Sequence, residues 1–403
     1  MKTIVTLALV LTGLCATAQE LTTYIAEAEA NNPELQAYRL RYEVAQERVQ
    51  ETQWLPNTEL SAGVFVSEPE TRTGAQKARF SARQMVPWFG TRTARERYAH
   101  SMADAEYQEY EVARRKLALE VSRAYYDLYQ LQAQQAVLGE NLELLKTYEK
   151  LALTALEVGQ ASAVDVLRLQ IRQEEVRERR GVLAELFTAE QARFNALLSR
   201  PATVAVMVPD RVDIPEEDPF VADSLGLNPE LLRYDRLYES VAEAESLNQK
   251  ESAPMLGFGV DYVPVQERPD VALPDNGKDI LMPMVSLSIP LFDTRFASRT
   301  RQNALKQQEL QAQKQQRLNT LEAALERARA ERRAARLRYQ ARANNLAQAR
   351  NAEQILLRSY ETGTVDFNDL LEIQELQLKF QLSQIEAVKA FFLQSAMIHY
   401  ITQ

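Results

Sequence analysis

Few side chains in this 403-residue chain have the type and spacing that chemistry requires. Asp369 and Glu372 stand at i and i+3, which puts both carboxylates on one helical face. Asp165 holds the matching place in an earlier segment, with Arg168 where a second acid would stand. Carboxylates crowded in a narrow passage attract cations, whereas on an open surface they simply suit the positive end of a helix. Two His (His100 and His399) lie far apart in sequence, outside any H-E-x-x-H pattern, and Cys15 is the one cysteine. They supply no zinc or iron–sulfur ligand set. The eight Met are scattered, so a methionine ladder for copper or silver is not expected. No phosphate loop, G-x-S-x-G or paired-cysteine motif is present. No catalytic residue, metal or cofactor is assigned, and the chain is not expected to be an enzyme.

A net charge of −9 argues against nucleic acid as a partner. The Arg-rich stretch from Arg327 to Arg350 then reads as a solvated coiled-coil flank, with acids such as those from Glu174 to Glu178 as counter-charge. Residues 1–18 read as a cleaved signal peptide. Lys2 gives a positive start, Ile4 to Leu14 an apolar stretch and Ala16-Thr17-Ala18 a cleavage site, with Gln19 as the new terminus. Cleavage removes Cys15, and Leu14 before it is not the small residue an acylation site needs. The apolar stretch is too short to span a bilayer as a helix, and no later segment is long enough.

The elements that must position the acids are set by Gly and Pro. From Gly90 to Gly159 only Gly139 interrupts, and from Asp293 to Gly363 there is neither Gly nor Pro. Each run predicts a helix about 100 Å long, far beyond ordinary globular helices. Leu117, Val121, Ala124, Leu128, Leu131, Gln135, Leu138, Leu142 and Leu145 follow a heptad spacing. Leu321, Leu325, Ala328, Arg332, Ala335, Tyr339, Arg342, Leu346 and Ala349 repeat it with two Arg lapses. A second seam (Val137, Leu144, Leu151, Val158) lies on another face of the first helix, so that helix expects neighbours on two sides. Gly159 and Gly363 mark tight reversals into return helices.

Four segments alternate with period two: Asn57 to Val66, Lys77 to Val86, Met255 to Val263 and Met282 to Leu291. Their length suits membrane strands as well as a soluble sheet. The segments between them, Ser67 to Gln76 and Pro264 to Lys278, are polar and turn-rich. Trp88, Phe89 and Phe292 at strand ends suit an interfacial aromatic girdle.

The chain also repeats itself. Asn32-Pro33-Glu34-Leu35 returns as Asn228-Pro229-Glu230-Leu231, and Val86-Pro87-Trp88-Phe89 as Ile289-Pro290-Leu291-Phe292. Gly159 with Asp165 and Leu167 returns as Gly363 with Asp369 and Leu371. The expected division is a signal peptide (1–18), a first repeat (19–200), a Pro- and acid-rich connector (201–226) and a second repeat (227–403). Each repeat reads as helix, two strands, very long helix, tip turn and return helix. Four strands cannot close a barrel, and an open sheet edge cannot face lipid. Membranous strands would therefore need several protomers, three of them making a twelve-stranded barrel.

These motifs, in this order and duplicated, resemble the TolC-type outer-membrane efflux proteins over nearly the whole mature chain. The resemblance rests on the two Asn-Pro-Glu-Leu segments and the pre-helix Val-Pro-Trp-Phe-Gly. It rests also on Val158-Gly159-Gln160 with Asp165-Val166-Leu167, and on Thr362-Gly363-Thr364 with Asp369-Leu370-Leu371. It implies a mainly α fold with β: a homotrimer with a twelve-stranded outer-membrane β-barrel and a periplasmic α-barrel of coiled-coil helices. It implies two protein partners as well, a periplasmic adaptor (membrane fusion protein) and an inner-membrane pump of resistance-nodulation-division or ABC type. Val158, Gly159, Gln160, Thr362, Gly363 and Thr364 would be the adaptor-docking tips. Asp369, Glu372, Asp165 and Arg168 would form the periplasmic constriction, where an Asp–Arg link between neighbouring hairpins would hold the tip shut. The alternatives are a duct for type I protein secretion, or a secreted coiled-coil scaffold, which leaves the alternating strands unexplained.

Overall fold

The structure, a computed structural model, describes residues 20–157, 162–216, 225–270, 272–361, 364–365 and 367–402. The expected signal peptide and the tip residues Val158, Gly159, Gln160, Thr362 and Gly363 lie outside them. The fold is mostly helical with some strands. A helix α1 over 20–31 leads to α2 (Pro33–Glu51), followed by strands β1 (Glu59–Val64), β2 (Glu70–Thr71), β3 (Gly74–Gln76) and β4 (Ala78–Val86). Helices α3 (Thr91–Glu157) and α4 (Ala163–Leu197) complete the first half. The second half gives α5 (Pro229–Glu251), β5 (Met255–Val263), β6 (Val265–Gln266), β7 (Ile280–Ser288), α6 (Arg295–Glu361) and α7 (Phe367–Thr402). The order of helix, strands, long helix and return helix thus occurs twice.

Helices α3 and α6 are each 67 residues long and end where the Gly and Pro pattern placed their ends. Two compact units divide the chain: Met1–Tyr38 with Tyr110–Asn228 and Arg317–Gln403, and Arg39–Glu109 with Pro229–Gln316.

The first unit is built on the heptad seams. Leu117, Val121, Ala124, Leu128, Leu138, Leu142 and Leu145 are buried, as are Leu321, Leu325, Ala328, Ala335, Leu346 and Ala349. The Arg lapses have a physical reason. Arg332 and Arg336 lie 6.0 and 5.2 Å from the centre of the Phe391 ring, and Arg342 lies 5.6 Å from that of Phe380. Their aliphatic stems pack in the seam while the guanidinium faces an aromatic ring, so a cation is tolerated there. The counter-charge for this stretch differs from expectation. Arg327 pairs with Glu331 at 2.7 Å and Arg329 with Glu326 at 2.8 Å, both on the same helix. Glu174 and Glu175 instead pair with their own neighbours Arg177 and Arg172. Pairs three or four residues apart face each other on a helix without bringing another element close.

The repeated Asn-Pro-Glu-Leu has a structural task. The Asn32 carboxamide oxygen accepts from the Glu34 and Leu35 amides at 3.0 and 3.2 Å, capping α2, with Pro33 in the first helical position. Its Nδ2 donates to the Leu197 carbonyl at the end of α4, at 2.9 Å. Asn228 before α5 is buried and donates to the Ile401 carbonyl near the end of α7, also at 2.9 Å. In both halves one Asn joins the start of the first helix to an orphan carbonyl at the end of the return helix.

The second unit holds a four-stranded antiparallel sheet in the order β1-β4-β5-β7. The strands fall within the expected segments except β7, which starts at Ile280 and ends at Ser288. Its bounds follow its partner, since Ile280 pairs with Val263 and Ser288 with Met255. The segments expected to be turns alone contain a second sheet, β2-β3-β6. Arg72 pairs there with Asp275 at 2.5 Å, and Lys77 with Glu68 at 2.5 Å. These strands are two or three residues long and pair across the two halves, so no periodicity announces them.

Candidate functional site

Two regions carry groups that bear on function: the end of the first unit next to the α3–α4 and α6–α7 reversals, and the sheet of the second unit. At the first, Ser162 caps α4. Its Oγ accepts from the Val164 amide at 3.2 Å, and the Asp165 carboxylate accepts from the Ser162 amide at 3.0 Å. Asp165 therefore serves a capping box. Arg168 turns away from it and donates to Asn368 Oδ1 on α7 at 3.4 Å, while Asn368 Nδ2 donates to Glu372 at 3.2 Å. One level further along, Arg172 bridges Glu175 at 2.7 Å and Glu375 on α7 at 3.0 Å. These groups line a cleft of about 370 Å³ floored by Leu145, Leu371 and Leu378. Asp369 is exposed in the first turn of α7, and Thr364 caps the end of α6 by donating its amide and hydroxyl to the Ser359 carbonyl at 2.9 and 2.8 Å.

Beneath these acids lies a set of polar contacts that the sequence motifs did not signal. In the first half Gln170 and Gln173 of α4 donate to the two oxygens of Glu149 on α3, at 2.8 and 2.7 Å. In the second half Gln374 and Gln377 of α7 donate to the two oxygens of Glu353 on α6, the latter at 2.8 Å. The three residues of one clamp are separated from those of the other by one constant offset, the same that relates Gly159 to Gly363 and Asp165 to Asp369. That offset was the signal available in the sequence.

The clamps differ in environment. The two Gln bonds hold the Glu149 carboxyl below its ordinary range. Glu353 accepts in addition from the buried Tyr148 hydroxyl of α3 at 2.5 Å. Burial, and then the Glu353 carboxylate, push the Tyr148 phenol well above its usual range, which keeps it a donor. Tyr148 also meets the edge of Phe367, buried at the start of α7, with ring centres 6.2 Å apart. In the second clamp all three donors are buried, whereas in the first Gln173 is buried and Gln170 exposed.

The sheet has two unlike faces. Register places Leu60, Phe80, Phe258, Val260, Tyr262, Leu281, Val285 and Leu287 on one of them, and all are exposed. A contiguous apolar surface of this extent marks contact with lipid or another protein. The other face carries Glu59, Ser61, Arg79, Ser81, Arg83 and Asp261. Asp261 is fully buried there and paired with Arg79. Trp88 and Phe89 follow β4, Phe292 follows β7, and all three are exposed, Phe292 by 96%. Nine-residue strands such as β4, β5 and β7 match the length of a tilted membrane strand. Among the described residues no helix is long and apolar enough to cross a membrane, and no cluster of His, Cys, Asp and Glu is placed to hold a metal.

Residues 24–198 match the family described as outer membrane efflux protein. No curated protein matches the chain. Among solved structures, the outer membrane protein VceC of Vibrio cholerae is 19% identical with a TM-score of 0.74, the match covering 95% of this chain and 96% of VceC. CusC, whose structures concern folding and transmembrane channel formation, is 14% identical with a TM-score of 0.77, over 95% of this chain and 92% of that one. The open state of the MtrE outer membrane channel of Neisseria gonorrhoeae is 14% identical with a TM-score of 0.73, over 95% and 88%. The likeness to these structures is one of fold along nearly the whole chain, and the match over residues 24–198 agrees with the family resemblance read from the motifs.

Proposed function

We propose that this chain, whose residues 24–198 carry the outer membrane efflux family's signature, is one protomer of a trimeric outer-membrane exit duct. The observation that carries the proposal is the exposed apolar face of a four-stranded sheet whose outer strands, β1 and β7, have no partner on their free side among the described residues. An apolar face belongs in lipid, and lipid forbids open edges, so strands from other copies must close the sheet. Three copies give twelve strands. Exposed apolar residues along α4 (Val164, Leu167, Ile171, Val182 and Leu186) give the helices a surface for neighbouring copies. A secreted scaffold leaves the sheet's apolar face without a role.

In this reading the sheet's polar face lines the pore, and Trp88, Phe89 and Phe292 sit at the lipid interface. The helices form the periplasmic tube, built by a duplication of 19–200 and 227–403 around the connector 201–226, after removal of the signal peptide 1–18. The chain has no nucleotide site, so a pump in the inner membrane supplies the energy. A periplasmic adaptor docks at the tips around Gly159 and Gly363 and favours their open arrangement. Asp369 and Glu372, repeated three times around the axis, form the acidic constriction. The pairing of Arg168 through Asn368 toward Glu372 leaves Asp369 as the carboxylate with the greatest reach into the pore.

The test is electrical. Asp369→Ala is expected to raise single-channel conductance in planar bilayers and to weaken block by trivalent cations by about tenfold. Unchanged conductance and block would remove Asp369 from the constriction.

A further inference from the structure

Two helices of the first unit each leave an edge exposed. There α3 and α7 form the inner pair: Lys389 meets Asp127 at 2.5 Å, Gln374 meets Tyr148 at 3.0 Å, and the rings of Phe392 and Tyr126 stack with centres 5.1 Å apart. Helices α4 and α6 flank that pair. Ile171, Val182 and Leu186 on α4 are exposed, as are Leu337 and Ile355 on α6. Between these apolar points both edges turn polar, with complementary chemistry. Helix α4 presents Glu178 and Glu185, one heptad apart, and α6 presents Asn344, Gln348 and Asn351 at spacings of four and three. All five are exposed, and none has a hydrogen-bond or ion-pair partner among the described residues. Glu178 also stands one turn from Glu174 and Glu175, so its charge is repelled within its own helix. Gly181 follows it, exposed, with no side chain or neighbouring element within 4 Å of where a Cβ would stand. Glycine weakens a helix interior, and nothing in its own surroundings requires it, whereas a closely packed partner helix would.

The two edges also agree in height along the bundle. Glu149 of α3 meets Gln170 and Gln173 of α4, while its neighbour Tyr148 meets Glu353 of α6. Ile171 and Ile355 therefore stand at about one level. Helix α4 is a return helix and α6 an outgoing one, so they run in opposite directions. One heptad from that level brings Glu178 to Gln348, and a second brings Glu185 to Ala341, with the exposed Arg338 within a turn. Rotation about an axis along the helices leaves heights unchanged. Residues level within one chain are then level between copies.

We propose that α4 of one copy packs against α6 of the next, with the Glu178 carboxylate accepting from the Gln348 and Asn344 carboxamides. Ile171 against Ile355, and Leu186 against Leu337, close the seam on either side. The chain already uses this chemistry inside each half, where two Gln carboxamides hold one Glu carboxylate. A slip of one heptad would set Glu178 against Ile355 or Ala341 and leave it unpaired, so the contact fixes register. The two edges differ, which makes the contact head-to-tail, and its repetition through one angle closes a ring. An α4 edge set against a second α4 edge would bring acids to acids and leave the α6 carboxamides unused. The number of copies and the direction of the axis rest on the proposed duct, whereas the match of the two edges belongs to the helices.

Cysteine cross-linking of the full chain in outer-membrane fractions tests the seam. Cys15, the one cysteine, is removed with the signal peptide in the proposed mature protein. Glu178→Cys combined with Gln348→Cys, oxidised with copper phenanthroline, is expected to give disulfide-linked species of two and three chains on a non-reducing gel. A disulfide needs Cα atoms within about 7 Å. Glu178→Cys combined with Arg333→Cys moves the second thiol about 22 Å along α6 and is expected to link at least about tenfold less. Glu178→Cys alone is expected to link no copies. Should the first pair prevent assembly, Val182→Cys with Asn344→Cys, at the next level, takes its place. Three copies by mass in which neither pair links, or in which Glu178→Cys alone links them, overturn the seam and leave the duct standing. A single copy by mass, with no linked species, overturns both.

Discussion

Glu353→Ala is expected to destabilise the packing of α6 and α7 against α3. Glu353 is the common acceptor for Tyr148, Gln374 and Gln377, three residues that are all buried. Its removal takes the acceptor from the Tyr148 hydroxyl, while Gln374 still donates to that hydroxyl at 3.0 Å and Gln377 to the Ala349 carbonyl at 3.3 Å. A buried donor left unpaired costs about 1–3 kcal/mol, and a loss in that range is expected. Glu353→Gln, which keeps one acceptor oxygen, should cost less. The equivalent change in the first half, Glu149→Ala, should cost less than Glu353→Ala, because of its two partners only Gln173 is buried and the exposed Gln170 can turn to water. Thermal melting of the three variants checks the order. Equal effects of Glu149→Ala and Glu353→Ala would show that the contact with Tyr148 does not distinguish the two hairpins.

Gly74→Ala is expected to abolish the pairing of β3 with β6 at a cost on the order of 3 kcal/mol. Gly74 has φ +131°, a conformation that residues with a side chain rarely adopt, and an added Cβ would run into the Gln266 carbonyl. The atoms in the way are the Gln266 backbone, which has no flexible end to give way. The expected result is rapid proteolysis within 67–76 and 264–278 at sites that the wild type protects, with the four-stranded sheet retained. Unchanged proteolysis would mean that β2-β3-β6 contributes little to the order of these segments.

Much of the architecture was legible because it is written in residues that break structure. The spacing of Gly and Pro bounded α3 and α6, and period-two alternation located β1, β4, β5 and β7. The repeated Asn-Pro-Glu-Leu marked the start of α2 and α5, and the structure adds why Asn is used: one side chain serves two helix ends. The parts that were not legible depend on tertiary register. The short strand β3 pairs with β6 across nearly half the chain. Heptad positions held by Arg332 and Arg342 looked like lapses until Phe391 and Phe380 were placed beneath them.

The candidate site was legible in part for the same reason. The carboxylates of Asp369 and Glu372 follow from local spacing, and both stand exposed near the start of α7. The task of Asp165 in capping α4 was also local, since Ser162 precedes it by three residues. By contrast, Arg168 and Arg172 find Asn368 and Glu375 on the other hairpin, which no spacing within one helix reveals. The clamps on Glu149 and Glu353 match one another hydrogen bond for hydrogen bond at one sequence offset, with Tyr148 the feature that makes them unequal.

The central claim is that three chains close one membrane barrel, and the mass of the assembly tests it most directly. The mature protein should be extracted from outer-membrane fractions in mild detergent and its mass determined by light scattering with the detergent contribution removed. The account predicts three copies in a particle that requires detergent to stay dispersed. A monomer or dimer that stays soluble without detergent would contradict it, because the exposed faces of β1, β4, β5 and β7 would then be covered by something other than lipid.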